Sequence, residues 1–70
     1  MFKVNYYNNS KNLVAEEAIE CITKEAAADI ASIEVYDNAW KKGYSFFVVC
    51  DETGKIVAAG TKFKSEIKFF

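Results

Sequence analysis

The sequence predicts an α+β domain of two layers, in which one helix packs on a four-stranded, largely antiparallel sheet. Two observations lead to this fold class. Four stretches alternate apolar and polar residues with the period of two that is typical of half-buried strands, and one stretch repeats apolar residues with the period of a helix. The chain has 70 residues, 51% of them hydrophobic, which fits one domain, residues 1–70, with one small core.

The first predicted strand is Phe2–Tyr7, where apolar side chains occupy every second position from Phe2. The polar run Asn8–Asn12 follows it, and short polar side chains of this kind favour turns and helix N-caps. The strand is therefore expected to end before Asn8.

The next predicted element is a helix from Leu13 to about Ala28. Apolar residues recur there at steps of three and four, and these are Ala15, Ala18, Ile19, Ile22 and Ala26. Carboxylates lie in the first half and Lys24 lies near the end, a distribution that suits the helix macrodipole. We expect the small alanine side chains to let this helix lie close to the sheet.

The second predicted strand is Ile30–Tyr36. Its alternation places two sets of side chains on opposite faces, namely Ala31, Ile33 and Val35 against Ser32, Glu34 and Tyr36. The run Asp37–Gly43 then supplies turn residues. A turn is therefore expected between this strand and the next.

The third and fourth predicted strands form a hairpin. Tyr44–Asp51 is the most β-prone run of the chain and is expected to be a central strand. The turn Glu52–Gly54 offers a glycine for positive φ and joins this strand to Lys55. The fourth strand either continues almost to the end of the chain or bends near Gly60 or Ser65 into a short terminal segment. The predicted order is therefore one strand, the helix and three further strands.

The composition argues against an enzyme. The chain contains no histidine, arginine or proline, so it lacks the residues most often used for acid–base catalysis at neutral pH, for transition-metal ligation and for bidentate binding of phosphate. Cys21 and Cys50 are isolated thiols, predicted on a helix and on a strand, which we interpret as small buried hydrophobic residues in a reducing compartment. We therefore expect no catalytic residues, no metal and no cofactor.

The charge pattern does not select one class of partner. The formal net charge is −1, and lysines and carboxylates are interspersed rather than grouped into a basic stripe. No apolar stretch approaches the ~20 residues of a membrane-spanning helix, and the first residues lack the apolar segment of a signal peptide. We expect a cytoplasmic protein without a membrane partner.

One helix covers one face of a four-stranded sheet, so the other face is expected to carry the function. Four candidate partner-binding residues are expected there: Tyr7, Glu34, Tyr36 and Phe47. The pattern leaves open which of the two alternating sets of Tyr44–Asp51 lies on that face, because both sets carry bulky apolar side chains. The competing interpretation is that aromatics on this face form ordinary cross-strand pairs, or are covered by the chain's own tail from Ile67 to Phe70.

Trp40 is the most distinctive residue, because a large aromatic in the polar run Asp37–Gly43 has little local reason to be there. One interpretation is that its ring folds back to cap the core. The functional interpretation is an exposed anchor, with Lys41 and Lys42 steering it towards an acidic partner surface.

Three functions of different classes follow from these surfaces. Aromatics surrounded by Lys, Glu and Asn are typical of protein interfaces, and this is the preferred interpretation. Aromatics on an open sheet also provide the stacking platform of single-stranded nucleic-acid binders, although this chain has no arginine and no net positive charge. The third interpretation is a homodimer paired through the sheet or through the edge of the fourth strand.

The predicted layout resembles that of small phage-encoded inhibitor proteins, and among them the compact α+β anti-CRISPR proteins. The similarity covers the strand Phe2–Tyr7, the helix to Ala28, the strand DIASIEVYD and the hairpin YSFFVVCDETGKIVAAG, and it lies in size and element order. It implies a stoichiometric inhibitor that binds a host effector complex and blocks access of nucleic acid or a conformational change. No binding residue is carried over, because no family motif matches.

Overall fold

The computed structural model describes residues 1–21 and 23–70, and these residues form one antiparallel sheet of five strands with one α-helix packed on it. The elements are β1 Phe2–Tyr7, β2 Leu13–Ile19, α1 Lys24–Asn38, β3 Phe46–Cys50, β4 Ile56–Gly60, a 3₁₀ turn Lys64–Glu66 and β5 Lys68–Phe69. The strand order across the sheet is β2-β1-β3-β4-β5. The predicted class, a helix on an antiparallel sheet, is confirmed, whereas the predicted four strands and their order along the chain are wrong.

The segment predicted as the helix begins with a strand instead. β2 pairs antiparallel with β1, with Phe2 opposite Ile19 and Tyr6 opposite Ala15. Ala15 and Ile19 are four residues apart, a spacing that places both on one face of a helix and equally on one face of a strand. The apolar spacing alone therefore did not distinguish the two structures.

The turn between β1 and β2 explains why the hairpin forms. The Asn8 side chain accepts hydrogen bonds from the backbone N–H groups of Ser10 and Asn12 at 2.9 and 3.0 Å. Side-chain bonds of this kind stabilise turns, so the polar run closes a hairpin and does not cap a helix. The predicted helix position Ile22 lies outside the described residues, and Cys21 precedes α1 rather than lying on a helix.

The segment predicted as the second strand is the second half of α1. Thr23 caps this helix, since its hydroxyl oxygen accepts a hydrogen bond from the backbone N–H of Ala26 at 3.2 Å. Side chains at helical spacing face the sheet and are buried, namely Ala27, Ala28, Ala31, Ser32 and Val35. Alanine has the highest helix propensity, and Ile33, which the strand pattern would bury, is 52% exposed. Glu34 and Tyr36 therefore lie on the helix and not on the sheet.

The hairpin from β3 to β4 is confirmed. The backbone N–H of Asp51 donates to the Lys55 carbonyl at 2.9 Å, and Gly54 has a φ of 87°, a conformation that favours glycine. The Asp51 carboxylate accepts the Thr53 hydroxyl at 2.6 Å, and this hydrogen bond holds the pKa of Asp51 below its usual value. β4 ends at Gly60, so the bent form of the last predicted strand is the one observed.

The core lies between α1 and one face of the sheet. Val4 and Tyr6 of β1, together with Phe47 and Val49 of β3, are almost completely buried there against the helix alanines. The Tyr6 ring stacks on Tyr44 with centroids 4.8 Å apart. Because small side chains face the sheet along α1, the two layers pack closely.

Gly60 is required by the close approach of the terminal segment to β4. A methyl group at this position would lie 2.9 Å from Ile67 Cγ1, 3.0 Å from Ile67 Cα and 3.1 Å from Phe47 Cζ. We expect Gly60→Ala to lower the free energy of unfolding by about 1–3 kcal/mol, measured by urea denaturation. The double variant Gly60→Ala/Ile67→Ala should lose only somewhat less than the sum of the single variants, because the contacts with Ile67 Cα and Phe47 Cζ remain. A Gly60→Ala variant as stable as the wild type would contradict the predicted clash.

Tyr6 is expected to make the domain sensitive to alkaline pH. Its side chain is buried, and its hydroxyl donates to Glu17 Oε1 at 2.8 Å. Burial, followed by the hydrogen bond to the Glu17 carboxylate, raises the pKa of Tyr6 above its ordinary value. The phenolate is then more favourable in the unfolded chain, so the free energy of unfolding falls as the pH rises above about 10. In urea titrations at increasing pH, Tyr6→Phe should lose less stability than the wild type, and equal losses would show that Tyr6 does not cause the effect.

Candidate functional site

A groove of about 940 Å³ opens at the carboxyl end of α1. Three aromatic side chains that line it are exposed to solvent: Trp40 by 95%, Tyr36 by 69% and Phe63 by 54%. We name this site the aromatic groove, defined by these three residues. Single exposed apolar residues are common on any protein, whereas a group of large ones at one concave site is typical of a binding surface.

The end of the helix and the turn after it position two of the three aromatics. Tyr36 lies in the last turn of α1 and Trp40 follows four residues later, so both side chains reach the same groove. The backbone N–H of Lys42 donates to the Asn38 carbonyl at 2.9 Å. Gly43, at the end of this turn, has a φ of 71°, a conformation that favours glycine. The backbone at Trp40 is therefore held by a hydrogen-bonded turn, and its ring is not held by packing.

The connection between β4 and β5 supplies Phe63 to the groove. The backbone N–H of Phe63 donates to Thr61 Oγ1 at 3.1 Å, and the Thr61 hydroxyl donates to Glu66 Oε1 at 2.8 Å. The Lys62 ammonium lies 5.3 Å from the centroid of the Phe63 ring, in a cation–π contact. These contacts order the backbone of the connection that carries the Phe63 ring.

The floor of the groove is apolar and buried. Val35 of α1 and Tyr44, which follows the turn, both line it and are almost inaccessible to solvent. Asn8, Asn9 and Ser10, in the turn between β1 and β2, line a further side. An apolar base with aromatic walls and a polar side is the usual composition of a site that accepts a side chain or loop of a partner.

Positive charge flanks the aromatic groove. Lysines stand beside its aromatic residues: Lys41, Lys42 and Lys62. In the part of the chain that the structure describes, none of these lysines forms an ion pair. The carboxylates of Glu34 and Glu66 accept hydrogen bonds from side chains of this chain, at 2.6 and 2.8 Å. Both carboxylates keep their negative charge, and Asp37 beside Tyr36 is exposed as well, so charges of both signs surround the groove.

The structure brings together four of the predicted partner-binding residues at the end of α1: Tyr36, Trp40, Lys41 and Lys42. The alternative in which Trp40 caps the core is wrong, because its side chain is 95% exposed. Glu34 lies on the same helix, but its carboxylate accepts the Asn38 amide. The observed contact of the Glu34 carboxylate is therefore with Asn38 of the same chain.

The structure places the other two predicted residues elsewhere. Tyr7 lies on the sheet face opposite α1 and stacks on Phe46, with centroids 4.9 Å apart and planes at 9°. Phe47 points to the helix side and is completely buried, so its side chain is not accessible to a partner. Sequence reasoning missed Phe63, which the long period-two pattern assigned to the last strand, and only the bend after Gly60 brings it to the aromatic groove.

The sheet face opposite α1 is the second surface of interest, and we name it the open sheet face. The strand register places eight apolar side chains on it: Tyr7, Leu13, Ala18, Phe46, Val48, Cys50, Ile56 and Ala59. Polar side chains also lie there: Lys3 and Glu16, which form an ion pair at 2.8 Å, and Asn5 and Lys68. Among the described residues no element covers this face.

Comparisons with protein-family models, with curated proteins and with solved structures found no match to this chain. Its function is therefore argued from these two surfaces. Within residues 1–21 and 23–70, no helix has the length and apolar character to cross a membrane, and no three or more Cys, Asp or Glu side chains converge to hold a metal ion. The thiols of Cys21 and Cys50 are free and half-buried.

Proposed function

We propose that this chain is a non-enzymatic protein-binding module that docks through the aromatic groove. The observation that carries the proposal is the 95% exposure of Trp40 beside two further exposed aromatics, Tyr36 and Phe63, at one groove. Tryptophan and tyrosine are the residues that most often dominate the energy of protein interfaces. Nothing in the core requires the Trp40 ring, so a binding role explains its place better than a structural one does.

The energetics favour a protein partner that inserts apolar groups between the aromatic walls. Each aromatic side chain offers about 150–250 Å² of surface for burial, at roughly 25 cal/mol per Å². The hydrogen-bonded turn after α1 and the ordered connection before β5 already hold the backbone of these residues in position. Because little backbone freedom is then lost on docking, more of this free energy appears as affinity.

The charge around the groove indicates an acidic partner surface. Lys41 and Lys42 lie next to Trp40, are exposed, and form no ion pair with any described residue. Exposed charges at the edge of an interface act mainly on the association rate and on the choice of partner. We propose that these lysines steer the aromatic groove towards Asp and Glu side chains of the partner.

The nature of the partner is proposed from the resemblance to small phage-encoded inhibitors. Such a protein acts by occupying a surface of a host effector complex, and it needs a compact scaffold with preformed anchors but no catalytic group. A 70-residue domain with an aromatic groove meets this requirement. The proposed action is stoichiometric inhibition in the host cytoplasm.

The second candidate function is binding of single-stranded nucleic acid. Three exposed aromatics with lysines beside them are also suited to base stacking and to contact with phosphates. Against it stand the net charge of −1 and the absence of arginine. We therefore rank it below protein binding.

An affinity capture from host lysate, with and without nuclease, separates the two functions. The immobilised wild-type chain should retain a protein in stoichiometric amount, and nuclease should not release it. Trp40→Ala serves as the matched control and should retain none. Recovery of nucleic acid alone, with affinity for an oligonucleotide that falls steeply with salt, would instead support the second function.

A further inference from the structure

We propose that the outer edge of β2 binds an extended segment of a partner protein that carries two adjacent basic residues. The segment adds to the sheet as a further strand beside residues 15–19, and its two basic side chains meet Glu16 and Glu17. No residue of β2 lines the aromatic groove. The two sites are therefore separate, and this proposal does not depend on the proposed function.

The backbone of β2 is available to a further strand. β2 has seven residues and lies at one edge of the sheet, whereas β5 at the opposite edge has only two residues. In an antiparallel strand, every second residue directs its backbone N–H and C=O away from the neighbouring strand. Among the described residues, no backbone hydrogen bond reaches residues 13–19 apart from the pairing with β1. The outward backbone groups of β2 can therefore pair with an added strand.

The central part of β2 presents one carboxylate on each face of the sheet. Its pairing with β1 is regular over residues 15–19. Glu16 stands opposite Asn5 on the open sheet face, and Glu17 stands opposite the buried Val4 on the helix side. Neighbouring side chains of a strand point to opposite faces. Two adjacent basic residues of an added strand are therefore what reaches both carboxylates at once.

The charge at this edge is negative. Lys3 forms an ion pair with Glu16 at 2.8 Å and offsets one carboxylate. Glu17 accepts the Tyr6 hydroxyl at 2.8 Å, a bond that orients its carboxylate without neutralising it. Glu17 and Glu20, which follows the strand directly, are exposed and form no ion pair with any described residue. This excess of carboxylates favours a basic segment over a neutral or acidic one.

The same carboxylates disfavour pairing of β2 with a second copy of this chain. Antiparallel pairing of two β2 edges about a two-fold axis at the centre of the strand places Glu16 opposite Glu16, or Glu17 opposite Glu17. Like charges directly opposite each other destabilise a sheet, and charged side chains on an edge strand are a known means of preventing such pairing. The occupant that fits this edge is therefore a strand of opposite charge.

A synthetic peptide tests the site on the purified full chain. The probe is a capped peptide of about nine residues, with two adjacent lysines at its centre and valine and threonine on either side, which favour extended structure. On binding, hydrogen exchange followed by nuclear magnetic resonance should slow at alternate backbone amides of residues 15–19. A matched peptide with two glutamates in place of the lysines should bind at least about tenfold more weakly. A lysine peptide methylated on all its backbone nitrogens keeps the charge but cannot donate to β2, and it should not bind.

Two double variants separate this edge from charge in general. Glu16→Gln/Glu17→Gln keeps the shape of both side chains and an acceptor for the Tyr6 hydroxyl, and it should weaken binding of the lysine peptide about fivefold to tenfold. Asp29→Asn/Asp37→Asn removes the same number of exposed carboxylates from α1 and should bind as the wild type does.

Three results would overturn the proposal. One is no binding of the lysine peptide at about 1 mM, and another is equal affinity for the methylated peptide, which would show attraction by charge alone. The third is a dimer of the wild-type chain with protected β2 amides, which would assign the edge to a second copy. Trp40→Ala should bind the peptide as the wild type does, so failure of this site and failure of the aromatic groove are separate results.

Discussion

Replacing Trp40 by alanine is expected to weaken binding of the protein partner at least about 30-fold, while the unfolding temperature stays the same. Truncation of a central aromatic anchor costs about 2 kcal/mol or more of binding free energy, and each 1.4 kcal/mol is a factor of ten in affinity. Stability should not change, because the Trp40 side chain is 95% exposed and its turn is held by backbone hydrogen bonds. Isothermal titration calorimetry with the captured partner measures the first effect, and a thermal melt measures the second.

Two controls make this result specific to the aromatic groove. Ile30→Ala removes another exposed apolar side chain from α1, away from the groove, and should bind as the wild type does. Trp40→Phe keeps an aromatic ring and should lose less affinity than Trp40→Ala. If Trp40→Ala binds with wild-type affinity, or loses affinity only because it unfolds, the groove is not the docking site.

Phe47→Ala is expected to destabilise the domain by about 3–5 kcal/mol, enough to unfold much of the population at physiological temperature. Phe47 is completely buried between β3 and α1, and its ring lies close to Gly60 of β4. Removing it leaves a cavity that the alanines of α1 are too small to fill. Chemical denaturation measures the loss of free energy of unfolding.

The neighbouring residue provides the matched control. Phe46→Ala removes a ring of the same size from the opposite face of the same strand, where it is half-exposed and stacks on Tyr7. Its cost should be clearly smaller than that of Phe47→Ala when both are measured under the same conditions. A larger cost for Phe46→Ala would mean that β3 faces the other way.

The sequence was sufficient to predict the fold class and the hairpin at Asp51–Lys55, but not the position of the helix. Two segments, 13–19 and 30–36, carry apolar residues at spacings that fit both a strand and a helix. Contacts distant in sequence resolve this ambiguity: Leu13–Ile19 pairs along β1, and three alanines of α1 fit closely against the sheet. Such pairings depend on the whole chain and are not visible in one segment.

The candidate site was predicted in part. Trp40 was recognisable because a large aromatic in a polar turn is unusual, and the two lysines after it are the basis for proposing an acidic partner surface. Tyr36 was predicted as a partner-binding residue on the face of a strand, but this segment is a helix. Tyr36 reaches the groove because it lies near the end of α1, four residues before Trp40. Phe63 had no local signal, since the bend between β4 and β5 alone determines where its ring lies.

Fluorescence of Trp40 is the most direct measurement of its proposed role as an exposed anchor, because it is the only tryptophan in the chain. In the free protein, we expect emission as red-shifted as that of tryptophan in water and efficient quenching by iodide. Addition of the captured partner should shift the emission to shorter wavelengths and protect the ring from iodide. A ring that is already shielded in the free protein, or one that stays fully quenchable in the saturated complex, would contradict docking through the aromatic groove.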